Sequence, residues 1–177
     1  MTATRRMFQE AYYVRSIDES ARKWADAYGA GPFYMVRHHE TEQFSYRGKA
    51  VEADVSYAFG YLGDTMIQFI EQHDDKPSIY RDMYAAGKEG FHHIAYLVSD
   101  FGAERQRWLD LGYELATELF ADGVNAAYFD TRSFSGGNTK RSLLKPRSDG
   151  RRTARAQAQS HCQNGRSAWA LNRHLDE

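Results

Sequence analysis

The chain has 177 residues, of which 42% are hydrophobic, and a formal net charge of −1 at pH 7. This length allows one domain or two small ones, and the charge gives no indication of nucleic-acid binding. A single cysteine excludes an internal disulfide, and the sequence shows neither a signal-peptide pattern nor an apolar run long enough to span a membrane. We therefore expect a cytoplasmic protein that binds neither nucleic acid nor a membrane.

The first half of the chain predicts elements in the order β-α-β-β-β. An apolar stretch at 8–14 is typical of a strand. Ser16 and Glu19 form a capping box at the start of a helix, which Gly29 is placed to end. Further strands are predicted at 32–36, 51–61 and 65–71, with a polar loop at 38–48.

The second half predicts the same order after a short helix that begins at Pro77. Its elements are a strand at 91–98, a helix at 100–111, and strands at 113–120 and 124–130. A fourth strand is expected after Gly136 and Gly137, although Asn138-Thr139-Lys140-Arg141 lacks the apolar alternation of its counterpart in the first half.

Several residues of the two halves match at one constant offset. The pairs are Gln9 and His93, Ala11 and Ala95, Tyr12 and Tyr96, Val14 and Val98, Trp24 and Trp108, and Asp26 and Asp110. Such a repeat indicates an internal duplication, and it puts a side chain able to bind a metal at the same place in each half. Adjacent residues of a strand point to opposite faces, so we expect His92 to lie away from His93.

Composition changes near residue 138. Residues 1–137 contain 14 Lys and Arg and 21 Asp and Glu, whereas residues 138–177 contain 9 and 3, and Trp169 is the only aromatic residue of that segment. We predict a domain at 1–137 and an atypical basic tail at 146–177 that is weakly helical or disordered. One hypothesis is that a shifted reading frame supplies the chain after about Gly137, with a short or distorted last strand as the result. The alternative is a diverged native tail that folds as a helix on the domain.

The duplicated pattern resembles the vicinal oxygen chelate superfamily, which includes glyoxalase I, methylmalonyl-CoA epimerase, extradiol dioxygenases and bleomycin-resistance proteins. Two stretches carry the likeness: Phe-His-His-Ile-Ala-Tyr-Leu-Val-Ser-Asp-Phe at 91–101 and Gly-Asp-Thr-Met-Ile-Gln-Phe-Ile-Glu at 63–71. The pattern is most similar to that of epimerase-like and glyoxalase-like members. The resemblance implies an α+β fold of two βαβββ modules, at about 8–72 and 91–145, that form a cup-shaped, partly closed mixed sheet.

The resemblance also implies a metal site with one ligand from the first and one from the last strand of each module. The implied ligands for Zn, Ni, Co or Mn are Gln9, Gln68 and His93. Arg141 lies at the position of the fourth ligand, counting five residues from Gly136 as Gln68 follows Gly63. Arginine offers no acceptor to a cation, whereas metal-binding members usually carry glutamate there.

In this superfamily a metal polarises a carbonyl and a carboxylate moves a proton, which stabilises an enolate as it forms. Asp54 is the candidate base, because it shares a strand face with small residues that could line the cup, and His93 is the second candidate catalytic residue. Tyr13, Tyr57 and Tyr61 are candidates for contact with a small, aromatic or apolar organic substrate.

The leading hypothesis is thus a small-molecule isomerase, epimerase or lyase that abstracts a proton next to a carbonyl or leaving group, with metal or carboxylate assistance. The missing fourth ligand favours an alternative, a metal-free binding protein of the bleomycin-resistance kind. A ring-cleaving dioxygenase of the extradiol type is the second alternative, and it would need two histidines and a carboxylate on iron. Open sheet edges favour a homodimer.

Overall fold

The computed structural model describes residues 7–39, 43–121, 124–135 and 137–144. The strands are β1 (Met7–Tyr13), β2 (Tyr34–Val36), β3 (Gln43–Tyr46), β4 (Lys49–Ala50), β5 (Val55–Leu62), β6 (Thr65–Gln72), β7 (Gly90–Leu97), β8 (Leu115–Ala121), β9 (Val124–Phe129) and β10 (Asn138–Leu144). The helices are α1 (Ile17–Tyr28), α2 (Ile79–Met83), α3 (Phe101–Asp110) and α4 (Arg132–Ser135). None of the helices within these ranges is long and apolar enough to cross a membrane.

All the strands belong to one mixed sheet with the order β2-β5-β6-β1-β7-β10-β9-β8-β3-β4. Within each module the first strand runs parallel to the last, as β1 does to β6 and β7 to β10. The modules meet where β1 and β7 pair antiparallel at the centre. The structure confirms the α+β fold of two βαβββ modules, and the sheet is open at both ends.

The prediction of a loop at 38–48 is wrong in part, because this segment contains β3. β3 pairs with β8, at the far edge of the second module, and forms a hairpin with β4. Phe44 explains the strand, since its side chain is buried in the aromatic core together with Tyr80 and Tyr128. Burial of this apolar side chain outweighs the polar residues around it.

Helix α1 begins and ends where the sequence predicts. The Ser16 hydroxyl accepts a hydrogen bond from the Glu19 backbone N–H, and Gly29 adopts the left-handed conformation with φ 70°. The helix packs its apolar side chains on Ala58 of β5 and Phe69 of β6. We call the sheet face beneath α1 and α3 the outer face, and the face that carries Ala11, Tyr13, Tyr57, Ile70 and Tyr128 the inner face.

Strand β10 contradicts the expectation of a short or distorted last strand. It has seven residues and pairs in continuous register with β7 on one side and β9 on the other. A strand between two neighbours satisfies its backbone N–H and C=O groups from both sides, which compensates for a weak apolar pattern. The basic tail at 146–177 lies outside the described residues, so its predicted state and the reading-frame hypothesis remain untested.

Gly137, which directly precedes β10, allows a test of how β10 packs against β7. A Cβ on Gly137 would overlap the Phe91 ring and lie 2.9 Å from the His92 carbonyl oxygen. We therefore expect Gly137→Ala to lower the free energy of unfolding by about 1–3 kcal/mol in urea denaturation.

Gly102→Ala is the control, because its Cβ meets only Asp100 Oδ1 at 3.7 Å. In helix α3 this change should raise the free energy of unfolding by about 0.5–1 kcal/mol. Equal stability of Gly137→Ala and the parent protein would mean that β10 does not pack against β7.

Candidate functional site

The three predicted metal ligands lie on the inner face of the central strands. Ala11 of β1 stands opposite Gln68 on one side and opposite His93 on the other. Gln9 and His93 are in direct contact, with Gln9 Oε1 3.4 Å from His93 Nε2. The Gln9 amide nitrogen also lies 3.1 Å from Met66 Sδ, and all three predicted ligands are at most 2% exposed. The structure therefore brings Gln9 and His93 together, with Gln68 one strand away.

The two modules place equivalent residues at equivalent positions across their strands. One row of opposed residues runs His93, Ala11, Gln68, and the second runs Gln9, Ala95, Lys140. Lys140, and not Arg141, is thus the counterpart of Gln68. Arg141 stands opposite Ala127, which packs beneath α3 on the outer face. The prediction from the sequence counted five residues from Gly136 and therefore placed the fourth ligand position one residue too far along, at Arg141. The count fails because α4 precedes β10, whereas a tight turn precedes β6. An error of one residue matters because neighbouring positions of a strand belong to opposite faces.

The expectation that His92 lies away from His93 is wrong. Ala11 stands opposite His93 and Tyr12 opposite Phe91, so His92 is an extra residue in β7, a β-bulge. The bulge breaks the alternation of side chains and brings His92 Nδ1 to 2.8 Å from His93 Nδ1. Both rings are 0% exposed. The result is a buried histidine pair on the inner face, which the sequence pattern alone does not indicate.

The surroundings of the two rings favour one arrangement of protons. The Ile79 carbonyl oxygen, 3.4 Å from His92 Nε2, can only accept, which favours a proton on that nitrogen. Because a neutral ring carries one proton, His92 Nδ1 then accepts from His93 Nδ1–H. In this arrangement His93 Nε2 carries no proton, and it lies 3.4 Å from Gln9 Oε1, whose place the amide nitrogen can take by rotation of the amide. His93 Nε2 is then the ring nitrogen of the pair that can take up a proton.

Aromatic side chains surround the histidine pair. The Tyr80 ring of α2 lies 5.0 Å from His92, and the Tyr128 ring lies 5.0 Å from His93. The Tyr57 and Tyr80 hydroxyls are 3.1 Å apart. Burial raises the pKa of Tyr57 to about 12 and those of Tyr80 and Tyr128 well above 10. These phenols stay neutral near pH 7, so they can donate hydrogen bonds but do not act as bases.

The other tyrosines predicted to contact a substrate have separate positions. Tyr13 is buried and stacks on Tyr80 at 6.2 Å, and its hydroxyl accepts a hydrogen bond of 2.6 Å from Arg81. Tyr61 stands opposite Met66, which in turn stands opposite Gln9. Tyr13 therefore lies in the aromatic core, whereas Tyr61 continues the row that contains Gln9.

Asp54 is not part of this cluster. It precedes β5, and its carboxylate lies 2.8 Å from His38 Nδ1, beside Ser56. Ser56 alternates with Tyr57 and shares the outer face with Ala58, which packs under α1. The small residues of β5 accommodate the helix instead of lining the cup, so the prediction that Asp54 faces the same space as His93 is wrong.

Residues 8–129 match the family described as the Glyoxalase/Bleomycin resistance protein/Dioxygenase superfamily. The chain belongs to this superfamily. Its resemblance to vicinal oxygen chelate proteins is thereby confirmed. None of the curated proteins matches the chain.

Solved structures of the vicinal oxygen chelate fold are similar to the chain. Methylmalonyl-CoA epimerase from Mycobacterium tuberculosis has a TM-score of 0.59 at 14% identity, over 79% of this chain and 88% of the epimerase. A hypothetical protein from Bacillus halodurans has a TM-score of 0.60 at 18% identity, over 82% of this chain and 99% of that protein. A Streptomyces coelicolor methylmalonyl-CoA epimerase variant in complex with 2-nitronate-propionyl-CoA has a TM-score of 0.54 at 17% identity, over 80% of this chain and 98% of the variant. Likeness at such low identity shows the fold alone.

Vicinal oxygen chelate proteins often bind divalent metal ions, but the inner face of this chain does not fit a tightly held one. Gln9, Gln68 and His93 are neutral donors, and the strand register gives the second module a lysine, a residue type without an acceptor when protonated, at the position that corresponds to Gln68. None of the buried polar residues within the described ranges is Asp or Glu. Ligands without negative charge compensate poorly for the cost of burying a doubly charged ion. The set also lacks the carboxylate of an iron-dependent dioxygenase.

Gln68 retains one feature of a binding position. Its Oε1 is buried and has no hydrogen-bond partner among the described residues. A buried acceptor without a partner destabilises a fold by about 1–3 kcal/mol, which favours a role in binding a donor group. We therefore keep Gln68 as a candidate for substrate contact.

The buried tyrosines predict a loss of stability at alkaline pH. Below the unfolded-state pKa of about 10, tyrosine is neutral in both states and its contribution is complete. Above it, unfolded chains lose protons that folded chains retain, so stability falls until the folded-state pKa, about 12 for Tyr57, is passed. We expect urea denaturation between about pH 10 and 12 to show this fall, with a slope that Tyr57→Phe reduces by up to about 1.4 kcal/mol per pH unit. Tyr28→Phe, at a 62% exposed position, is the control. An identical slope in Tyr57→Phe and the parent protein would contradict the burial of Tyr57.

Proposed function

We propose that the chain is a small-molecule enzyme of the isomerase or epimerase type, which transfers a proton next to a carbonyl group through the His92–His93 pair. The observation that carries this proposal is the buried contact of 2.8 Å between the two Nδ1 atoms. Cytoplasmic location remains a prediction from the sequence.

The chemistry begins at His93 Nε2. In the proposed step this nitrogen takes a proton from the substrate carbon, whose bonding electrons move onto the adjacent carbonyl oxygen to form an enolate. His93 becomes an imidazolium ion, and the lone pair of His92 Nδ1, 2.8 Å from His93 Nδ1, stabilises its charge. Return of the proton to either face of the carbon, or to a neighbouring atom, gives an epimer or an isomer. Loss of a leaving group instead gives a lyase product.

Neighbouring side chains can stabilise the enolate. The amide groups of Gln9 and Gln68 offer N–H donors on the inner face, and such donors act most strongly where water is excluded. Tyr61 extends the same surface and is proposed, with Tyr13 and Tyr57, to line the space for an apolar or aromatic part of the substrate. Because His92 and His93 are 0% exposed, substrate entry requires the side chains that cover the pair to move.

A second candidate function is the metal-free binding and sequestering of a small molecule. The observation that favours it is the absence of any Asp or Glu among the buried residues of the described chain, since the expected carboxylate base is missing. In this case the aromatic inner face would hold an apolar ligand, and the histidine pair would serve only as hydrogen-bonding groups.

The test is hydrogen exchange at the carbon next to a carbonyl. Several of the similar solved structures are methylmalonyl-CoA epimerases, so methylmalonyl-CoA heads a panel of acyl thioesters and 2-hydroxy ketones incubated in deuterium oxide with a metal chelator. We expect deuterium incorporation by the parent protein and a fall of about 10²–10⁴-fold in His93→Gln, because the basic atom is removed.

His39→Gln is the control. His39 is a histidine outside the His92–His93 pair, so the change should leave the rate of exchange within about threefold of the parent rate. Binding of panel compounds without exchange would support the second candidate. Equal exchange in His93→Gln and the parent protein would contradict proton transfer by His93.

We also propose that the chain forms a homodimer. The two ends of the sheet are β2, with three residues, and β4, with two exposed residues, and each end strand leaves backbone groups unpaired on one side. Pairing of such edges between two copies satisfies these groups. Light scattering at micromolar concentration should report twice the chain mass of 20.3 kDa, and a single chain mass would contradict the proposal.

A further inference from the structure

Two histidines and an aspartate meet on the outer face, away from the histidine pair. His38 Nδ1 lies 2.8 and 3.0 Å from the two carboxylate oxygens of Asp54. The rings of His38 and His73 are 4.5 Å apart, and one ligand atom from each of the three residues lies within 4.8 Å of the other two. We infer that His38, Asp54 and His73 form a binding site for a divalent transition-metal ion.

The donor chemistry supports this inference. Two imidazoles and one carboxylate suit Zn²⁺, Co²⁺ and Ni²⁺, and the carboxylate supplies the negative charge that the inner face lacks. Donors about 2.1 Å from a tetrahedral ion are about 3.4 Å from one another. The present spacing of 4.8 Å or less therefore closes by small side-chain rotations, which the exposed ring of His38 and the partly exposed ring of His73 allow.

Neighbouring groups hold the three residues in place without a metal. His38 has a φ of 46°, unusual for a residue other than glycine, and its backbone N–H donates to the Ser56 hydroxyl at 3.0 Å. The same hydroxyl lies 2.6 Å from His73 Nε2, and Ser56 is 1% exposed. A buried serine thus connects both histidines, which lowers the entropy that a metal ion must remove when it binds.

A second carboxylate orients His73. A Glu71 oxygen lies 3.5 Å from His73 Nδ1, and the other Glu71 oxygen accepts the Ile17 backbone N–H at 3.0 Å. A proton on Nδ1 directed at Glu71 leaves the lone pair of Nε2 as the metal ligand, and the Ser56 hydroxyl that lies 2.6 Å from this atom gives way to the ion when it binds. Metal-binding histidines usually have such a carboxylate on the second nitrogen, because it determines the tautomer and makes the ring a stronger ligand.

The proposed site joins three segments that are distant in sequence. His38 follows β2, Asp54 precedes β5, and His73 follows β6, so one ion would connect the ends of three neighbouring strands. Such an ion binds the folded chain and not the unfolded one, which raises stability by mass action. The site lies on the opposite face from His93, so its effect on stability is separate from the proposed proton transfer.

The experiment is titration of the full chain with Zn²⁺ in a calorimeter and with Co²⁺ under visible spectroscopy. We expect one ion per chain, d–d bands of Co²⁺ with imidazole and carboxylate ligands, and a rise in Tm with added Zn²⁺. His38→Asn and His73→Asn should each weaken binding at least about 100-fold and abolish the rise in Tm, because each removes a ligand.

Two further variants locate the ion. His39→Asn changes the adjacent histidine and should bind Zn²⁺ as the parent protein does, and so should His93→Gln, which tests the inner face. All variants keep Cys162 and the histidines of the basic tail, so metal held there would be common to all of them. Equal binding in His38→Asn, His73→Asn and the parent protein, loss of binding in His93→Gln alone, or no binding by the parent protein would each overturn the inference.

Discussion

The antiparallel pairing of β1 with β7 joins the two modules and determines which polar side chains meet. It places Ala11 opposite His93 and Gln9 opposite Ala95, so each large polar side chain faces a methyl group across the strands. That alternation leaves room for Gln9 and His93 to lie 3.4 Å apart. The β-bulge in the same pairing adds His92 to the group. A continuous ladder would have directed His92 toward the helices, and the inner face would have one titratable ring instead of two.

The two faces of the sheet differ in what packs on them. The outer face combines alanines with aromatic side chains, such as Ala58 with Phe69 and Ala127 with Phe129, and α1 and α3 pack on it. The inner face carries tyrosines and phenylalanines, and α2 adds Tyr80 to them. A catalytic group on the inner face is therefore surrounded by aromatic rings and shielded from water, whereas the ligands of the proposed metal site are partly open to solvent. The two sites would differ in dielectric environment, and hence in the charge that each tolerates.

Much of the fold could be predicted from local patterns. Ser16, Gly29 and the spacing of apolar residues define α1, and the duplication predicts that Gln9 and His93 occupy equivalent strands. The errors arise where the sequence carries no local signal. A bulge depends on the register between two strands, which a single strand does not reveal. The face of Asp54 depends on which side α1 covers, and the position of Lys140 depends on the length of the connection that contains α4. The His38, Asp54 and His73 cluster joins three loops, so only the folded chain reveals it.

The pairing of β3 with β8 has a consequence for how the chain reaches this structure. In the sequence, β3 lies between β2 and β5 of the first module. The strand with which it pairs, β8, is about 70 residues further along the chain, as in the pairing of Tyr46 with Thr117. Closure of so long a segment removes much chain entropy and is compensated only when β8 is already in place. The hairpin should therefore dock late in folding, after both modules have formed. An isolated first module would keep α1 and its four sheet strands but would have no surface on which this hairpin could rest.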